Sequence, residues 1–316
     1  MTISLDPEVA AVLTAIAAAR PPMSPPAVGD WRALKAMSND GLRAAMALSP
    51  SFPSGFPDVR ATTYPIATDS GDIEARWYTR VGEAPGSAVV YAHGGGMISG
   101  DLDTYEPVVA EYVASTGVPF LSVGYRLAPE VRGETPARDV LAALVWLRSH
   151  AHQLGVDVRR IAVMGDSAGG GVAAGAARLA RDSDVTLAAQ ILVYPMLDHR
   201  TVTADDELRP LLIWTPEQNE TGWRALLGEG YNAPSPVASP STGQDLADLA
   251  PAFVEVGQLD LFCDESIAYA QRLSCAGVIT ELHVHPAVPH AFERIAPRTA
   301  AAGRVFDERR RVLRSL

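Results

Sequence analysis

A serine flanked by glycines is the residue of this chain best suited to act as a nucleophile. Ser167 lies in Gly165-Asp166-Ser167-Ala168-Gly169, between an apolar run at 161–164 and an alanine-rich stretch. The pattern predicts a strand, a tight turn and a helix, with the serine at the apex and the glycines leaving room for so sharp a turn. A serine hydroxyl is a weak nucleophile, so this chemistry requires a neutral imidazole to take its proton and a carboxylate to orient that imidazole.

Seven histidines compete for the role of the base. In enzymes with a serine on such a turn, the acid and then the histidine follow the serine along the chain. That order excludes the three histidines that precede the serine: His93, His150 and His152. His199 precedes every suitable carboxylate, and His283 and His285 alternate within a predicted strand, where partly exposed side chains are ordinary. We therefore predict that His290, on a loop beyond the last predicted strand, is the base.

Two carboxylates are candidates for the acid that orients the histidine. Asp260 directly follows a predicted strand, whereas Asp264 begins the next predicted helix. A carboxylate at a helix start is explained as its N-cap, because it accepts hydrogen bonds from amides that have no partner within the helix. Asp166 is too close to the serine along the turn to orient a distant histidine. Asp260 is thus the predicted acid.

A glycine-rich loop supplies candidate donors for the negative charge that develops during nucleophilic attack. His93-Gly94-Gly95-Gly96 ends a predicted strand in a loop whose backbone amides are unobstructed. We predict an oxyanion hole formed by the amides of Gly95 and Gly96, together with that of Ala168 after the serine. A phosphate-binding loop is the alternative, but the glycine runs lack the Lys-Ser/Thr ending of a P-loop.

Composition narrows the class of protein. The chain has 316 residues, of which 47% are apolar, so it is long enough to bury the core of one large α/β domain. A net charge of −11 disfavours partners such as nucleic acid or an anionic membrane. Cys263 and Cys275 lie at opposite ends of a predicted helix, too far apart for a disulfide or a thiolate metal site. We expect neither a metal nor an organic cofactor.

The N-terminal sequence and the hydropathy pattern bear on location. Asp6 and Glu8 stand where a signal peptide would carry positive charge, and Asp6 with Pro7 instead predicts a helix start. No stretch is long enough and apolar enough to span a membrane, so stable membrane insertion is not expected. A cytoplasmic protein is the expectation.

Strands and helices alternate through most of the chain. Predicted helices in this part of the chain lie at 105–116, 136–150, 168–181, 264–276 and from 290 onward. Predicted strands lie at 61–68, 73–80, 87–93, 119–125, 160–165, 189–195, 251–258 and 279–285. The first two strands are joined by a hairpin loop, and right-handed crossovers wind the others into one open α/β sheet covered on both faces.

Two segments depart from this alternation. Residues 1–50 predict two alanine-rich helices broken by a proline-rich stretch, and 197–250 place Trp214 and Trp223 in helix-like stretches. An insertion at the carboxyl end of a strand lies over the edge of the sheet where ligands bind. We therefore predict that 1–50 and 197–250 form a cap, with 51–196 and 251–316 as the core.

Together these residues resemble the hormone-sensitive-lipase-like esterases, or bacterial family IV, of the α/β-hydrolase superfamily. The resemblance rests on the glycine loop at 93–96, Tyr-Arg-Leu-Ala-Pro-Glu at 125–130, the serine motif at 165–170, Asp260 with Asp264, and His290 with Phe292. It implies the α/β-hydrolase fold with a mainly parallel eight-stranded sheet and a helical cap. It also implies hydrolysis of short to medium acyl esters through a covalent acyl-serine, with a small-molecule ester as the partner.

Two positions depart from the family pattern. Met97 stands where the family usually has an aromatic residue after the glycines, and Leu261 stands where proline commonly follows the acid. We predict that Met97 and Trp214 line the substrate pocket. Alternatives on the same fold are a non-catalytic small-ligand receptor, which would lack the histidine, and an amidase or acyltransferase with the same triad. A homodimer is compatible with all of them.

Overall fold

The computed structural model describes residues 4–19, 25–48 and 55–316. A single sheet of eight strands runs through the described chain in the order β1-β2-β4-β3-β5-β6-β7-β8. The strands are β1 Val59–Ile66, β2 Ile73–Arg80, β3 Ala88–Ala92, β4 Phe120–Val123, β5 Ile161–Asp166, β6 Gln190–Val193, β7 Ala252–Gly257 and β8 Thr280–His285. Neighbours from β4 to β8 are parallel, whereas β1 and β2 are antiparallel to their neighbours. The predicted mainly parallel eight-stranded sheet is confirmed.

Helices cover both faces of this sheet. They are α1 Pro7–Ala19, α2 Trp31–Met46, α3 Leu102–Thr116, α4 Thr135–Leu154, α5 Ala168–Asp182, α6 Pro216–Leu227, α7 Cys263–Cys275, α8 Phe292–Ile295 and α9 Ala300–Arg314. The strands β3 to β7 are buried along their whole length, which explains why their sequences are almost continuously apolar. Val90 of β3 packs with α4 and α5, while Val89 and Tyr91 pack with α3 and the end of α9.

The predicted strand boundaries lie within a residue or two of the observed ones, and the predicted hairpin pairs Ile66 with Ile73. The prediction of one helix from His290 onward is wrong. Ala291 adopts a left-handed φ of 52°, α8 ends at Ile295, and α9 begins only after Thr299, which accepts a hydrogen bond from the amide of Ala302.

Two further local predictions are corrected. Trp214 lies in the loop before α6, because Thr215 begins that helix with a capping box that includes Gln218. Asp264 is not an N-cap: α7 begins at Cys263, so this carboxylate lies within its first turn. A carboxylate in the first turn still complements the helix dipole.

The two N-terminal helices pack beside loops that leave the carboxyl ends of the strands. The start of α1 is as predicted, with the Asp6 carboxylate accepting from the amides of Glu8 and Val9. The Asp6 amide donates to the carbonyl of Ala287, just before the loop that carries His290. The predicted proline-rich break, at 21–26, falls largely outside the described residues. The division into cap and core stays a prediction.

None of the helices in the described part of the chain combines the length and the apolar character that crossing a membrane requires.

Candidate active site

Ser167 is the single residue between β5 and α5. Its φ of 56° and ψ of −121° are strained for a residue with a side chain and cost on the order of 1–3 kcal/mol. A Cβ on Gly165 would lie 2.1 Å from the carbonyl oxygen of Gly169, and one on Gly169 would lie 2.1 Å from that of Ala92. Side chains at either position would therefore collide with backbone, so the glycines are a steric requirement of this turn.

The structure brings Ser167, His290 and Asp260 into one line of hydrogen bonds. Ser167 Oγ lies 3.0 Å from His290 Nε2, and His290 Nδ1 lies 2.7 Å from Asp260 Oδ2. With hydrogen on Nδ1, the imidazole donates to the carboxylate and accepts from the serine hydroxyl. The other oxygen of Asp260 accepts from the amide of Phe262 at 2.9 Å, which fixes the carboxylate. These distances are within the reach required of a nucleophile, its base and an orienting acid.

The imidazole is buried among aromatic rings. Only 7% of His290 is exposed, and the rings of Tyr194 and Phe262 meet it edge-on at centroid distances of 4.7 and 5.2 Å. Burial lowers the pKa of His290, but the charge and hydrogen bond of Asp260, helped by Glu293 and Asp166, raise it above the usual value. Sequence reasoning missed Phe262 and Tyr194, since neither belongs to a motif and both act through packing.

The glycine loop after β3 passes beside the serine. Gly95 and Gly96 have φ values of 125° and 63°, and the carbonyl of Gly95 accepts from the amides of Ile98 and Ser99. Within the described residues, the N–H groups of Gly95 and Gly96 donate to no other group of the chain. Such free donors are what stabilisation of an oxyanion requires.

Residues of the neighbouring motifs hold this loop in place. The ring of His93 stacks between Tyr105 and Tyr125, and the Tyr125 hydroxyl donates to the His93 carbonyl at 2.7 Å. Burial lowers the pKa of His93 to about 4, so the ring is neutral at pH 7. Arg126 forms a bidentate pair with the fully buried Asp139 of α4. Tyr125 and Arg126 thus hold in place the glycine loop and the end of β4.

A family model for the alpha/beta hydrolase fold matches residues 89–294 of the chain. The chain is 35% identical over 253 residues to esterase LipI of Mycobacterium tuberculosis. The aligned residues make up 78% of this chain and 79% of LipI. Ethyl acetate hydrolase of Pseudomonas putida is 31% identical over 309 residues, or 93% of each chain. The chain belongs to the hormone-sensitive-lipase-like esterases. It is a carboxylesterase of that family, as its motifs predicted.

Solved structures agree with this assignment to the hormone-sensitive-lipase-like family. A structure described as a bacterial heroin esterase has a TM-score of 0.85 and 33% identity, covering 99% of this chain and 98% of its own. An esterase from Pyrobaculum calidifontis has a TM-score of 0.82 and 29% identity, covering 99% of this chain and 98% of its own. The structural similarity therefore extends over nearly the whole length of this chain and of each of the two solved chains.

The two residues predicted to line the pocket differ in their surroundings. Met97 is 1% exposed, and its Cε reaches toward Gly171 of α5, so this burial does not favour a role at the surface of a pocket. Trp214 is half-buried beside the glycine loop: a Cβ on Gly96 would lie 2.5 Å from its ring. The indole N–H donates to the buried amide oxygen of Asn219 at 3.0 Å. Asn219, which sequence reasoning missed, thus fixes the ring.

The remaining acid and histidines face other partners. Asp166 is buried and accepts a hydrogen bond from the Tyr91 hydroxyl, and burial raises the pKa of its carboxyl. His199 has a serine neighbour, Ser239, at 3.2 Å, but this contact and the nearest carboxylate contact, at 3.8 Å, both involve Nδ1. One ring nitrogen cannot both accept from a serine and donate to an acid, so this pair lacks the geometry of a triad.

One set of side chains of the kind that bind metals lies on β8 and α9. Atoms of Glu281, His283 and Glu308 lie within 4.8 Å of one another. Arg311 pairs with both carboxylates, so a guanidinium already occupies the position that favours positive charge. This set does not contact Ser167, His290 or Asp260.

Proposed function

We propose that this carboxylesterase hydrolyses esters of short to medium acyl length through a Ser-His-Asp triad and a covalent acyl-serine. The observation that carries the proposal is the continuous chain of hydrogen bonds from Ser167 through His290 to Asp260, at 3.0 and 2.7 Å. The relatives named as esterases support the reaction class. The presence of His290 argues against a non-catalytic receptor, because the base would have no role in one.

The proposed mechanism uses these groups in two half-reactions. His290 Nε2 takes the proton of Ser167 as Oγ attacks the ester carbonyl carbon, and the carbonyl oxygen gains the negative charge. The amides of Gly95, Gly96 and Ala168 bind that oxyanion, each worth roughly 3 kcal/mol of barrier. The imidazolium then protonates the leaving alkoxide as the C–O bond breaks. Water, deprotonated by the same nitrogen, attacks the acyl-serine and releases the acid and the free serine.

The preference for short to medium acyl groups rests on the elements around the glycine loop. Gly222 of α6 lies so close to Gly96 that a Cβ on Gly222 would be 2.7 Å from the Gly96 carbonyl oxygen. The Trp214 ring also lies against Gly96. Each methylene that a pocket can bury contributes up to about 0.8 kcal/mol. Activity therefore rises with acyl length until the Trp214 side of the pocket is filled, and emulsified long-chain triglycerides are poor substrates.

The proposed cap, 1–50 with 197–250, supplies this boundary. The amide of Gly29 donates to the Thr221 hydroxyl of α6 at 3.0 Å, and the Gly100 amide donates to Asn39 of α2 at 3.0 Å. These two bonds join α2 and Gly29, which lies just before it, to the insertion and to the loop after β3. We propose a cytoplasmic location, with which the two free cysteines, Cys263 and Cys275, are compatible.

Initial rates on p-nitrophenyl esters of increasing acyl length, beside the matching anilides, test the proposal. We expect the esters to react at least about a hundredfold faster than the anilides, with an optimum at short to medium chains and no activity in Ser167→Ala. An amidase would show anilide rates near those of the esters. An acyltransferase would give a new ester as the main product when an alcohol is added. Faster turnover of long-chain triglycerides than of butyrate esters would contradict the proposed pocket.

A further inference from the structure

A buried polar cluster lies beside the imidazole of His290. Tyr194 follows β6 directly, with a left-handed φ of 34°, and its ring packs edge-on against the imidazole at 4.7 Å between centroids. The Tyr194 hydroxyl donates to Glu293 Oε1 at 2.8 Å. Glu293 lies in α8, three residues after His290, and none of its surface is exposed.

Two arginines neutralise this carboxylate. Arg309 of α9 is 1% exposed, lies 3.0 Å from Glu293 Oε1 and also pairs with Glu255 of β7. Arg294 lies 3.5 Å from the same Glu293 oxygen. The cluster therefore joins Tyr194 after β6 and Glu255 of β7 to α8 and α9, and α8 begins two residues after His290.

Stability alone is a weak reason for such a cluster. Taking charges out of water costs several kcal/mol per ion, and well-packed apolar residues often stabilise a fold as well as or better than a buried ion pair. A buried network is valuable where it fixes one arrangement of side chains. Here the arrangement includes a ring in direct contact with the imidazole.

We propose that Glu293 and Tyr194 are positioning residues for His290. Glu293 accepts from the Tyr194 hydroxyl, this bond fixes the phenol ring, and the ring edge holds the imidazole so that Nε2 faces Ser167 while Asp260 holds Nδ1. The inference rests on the proposed function, because it assigns His290 the role of base. It adds a second support for the imidazole, independent of the Asp260 carboxylate.

The charged and titratable groups that act on His290 or Glu293 come from several elements: Asp260 after β7, Asp166 of β5, Tyr194 after β6, Glu255 of β7, Tyr112 of α3, Glu293 and Arg294 of α8, and Arg309 of α9. Burial raises the pKa of Glu293, but the charges of Arg309 and Arg294 and the Tyr194 hydroxyl bring it down to about 2. Glu293 is thus a carboxylate throughout the pH range of an esterase assay. Its negative charge favours the imidazolium form of His290.

Two near-isosteric variants test the proposal. Tyr194→Phe keeps the ring and removes only the hydroxyl, while Glu293→Gln keeps an oxygen that accepts from Tyr194 and removes the charge. With a soluble p-nitrophenyl ester, we expect Tyr194→Phe to lower kcat about tenfold and to change KM by less than about twofold, because only 3% of Tyr194 is exposed. We expect Glu293→Gln to move the acid limb of the kcat/KM profile to lower pH, because the imidazolium loses a neighbouring anion.

Controls separate positioning from loss of fold. Glu281→Gln makes the same change of charge in β8, at a carboxylate that pairs with His283 and Arg311, and it should leave kcat and the pH profile unchanged. Melting temperatures identify any variant that is partly unfolded at the assay temperature, and if Glu293→Gln does not fold, Tyr194→Phe decides. A folded Tyr194→Phe with kcat within about twofold of the parent overturns the proposal.

The failure of this inference is distinguishable from the failure of the proposed function. If His290→Ala is inactive and Tyr194→Phe is fully active, the triad stands and only the positioning role is wrong. If His290→Ala keeps parental activity, the triad itself is wrong, and the inference fails with it.

Discussion

At the scale of single residues, two carboxylates that stand four positions apart have different surroundings. Asp260 is 1% exposed and hydrogen-bonded to both His290 and the Phe262 amide, whereas Asp264 is an exposed residue in the first turn of α7. Burial and the imidazole contact, more than sequence position, separate the two. Sequence order alone made both of them candidates.

Asp260→Asn should lower kcat by about 10³- to 10⁴-fold, because the amide favours the wrong imidazole tautomer and leaves the imidazolium without its counter-charge. Asp264→Asn is the matched control and should keep kcat within about twofold, with at most a few tenths of a kcal/mol lost in helix stability. Steady-state kinetics on both variants, with circular dichroism to verify folding, measure the difference. A larger loss in Asp264→Asn would mean that the two carboxylates are assigned the wrong way round.

The expected pH dependence of activity follows from the protonation of His290. As the proposed base, His290 acts only when its imidazole is neutral. Burial lowers the pKa of His290, but the charge of Asp260 raises it above the ordinary value of 6.5. Activity should therefore rise with pH through a single ionisation that lies on the alkaline side of that ordinary value. Profiles of kcat/KM against pH measure it, and a flat profile from acid to alkaline pH would contradict a histidine base.

At the scale of elements, glycines at the serine turn are required by contacts with backbone that cannot move aside. A Cβ on Gly165 would collide with the start of α5, whereas Gly303 of α9 has open space where a Cβ would lie. We expect Gly165→Ala to abolish activity and to lower the melting temperature. Gly303→Ala should instead stabilise the protein by up to about 1 kcal/mol, through higher helix propensity. Equal melting temperatures for the two variants would contradict this view of the turn.

The first residues of the insertion after β6 are held by a buried acid of α7. Glu265 accepts from the amides of Leu197 and Asp198 and is hydrogen-bonded to the Thr201 hydroxyl. Burial raises the pKa of Glu265 to about 8, although the bonds from Leu197 and Thr201 lower it. The native state thus keeps a proton that the unfolded chain loses near its ordinary pKa of 4.5.

Because the native state binds this proton more tightly, Glu265 makes the free energy of unfolding fall as the pH rises from about 4.5 to about 8. Its favourable contribution is fully present below the lower value and is lost through the upper one. We expect Glu265→Gln, which is neutral at every pH, to flatten this part of the stability curve. Denaturant unfolding at pH 5 and at pH 8 would measure the change, and an unchanged slope would contradict a protonated Glu265.

The proposed limit on acyl length also depends on how secondary-structure elements place Trp214. The loop before α6 places Trp214 against Gly96, and Asn219 of α6 holds the indole there. Trp214→Ala should move the optimum of kcat/KM to longer acyl chains, while Ile213→Ala, at an exposed neighbouring position, should leave it unchanged. Met97→Phe should mainly lower stability, by about 1–3 kcal/mol, because the ring would overpack a buried site. An unchanged acyl profile in Trp214→Ala would contradict the boundary.

At the scale of the whole molecule, the sequence was informative where local patterns decide the structure. The strands were predictable because β3 to β7 are covered on both faces and so require continuous apolar runs. The order of serine, acid and histidine was predictable because each follows a strand of one sheet, whose carboxyl ends meet at one edge.

Features that depend on contacts between distant parts of the chain were not predictable in this way. The break after His290 follows from the left-handed Ala291, and the buried cluster joins Tyr194 to Glu293, which lie ninety-nine positions apart. Likewise, the burial of Met97 against Gly171 depends on how α5 packs beneath the glycine loop. No local pattern encodes such contacts, because an alanine or a tyrosine has the same neighbours in the sequence whether or not it makes a distant contact in the fold.

The central claim, that Ser167 is the activated nucleophile, is tested most directly by mapping a covalent label. We expect a fluorophosphonate to modify one serine, on the peptide containing Ser167, in proportion to the loss of activity, because only an activated serine attacks such a reagent at a useful rate. Ser167→Ala should take up no label, and Ser239→Ala, at another serine beside a histidine, should be labelled like the parent. Label on another residue, or none on fully active protein, would contradict the account.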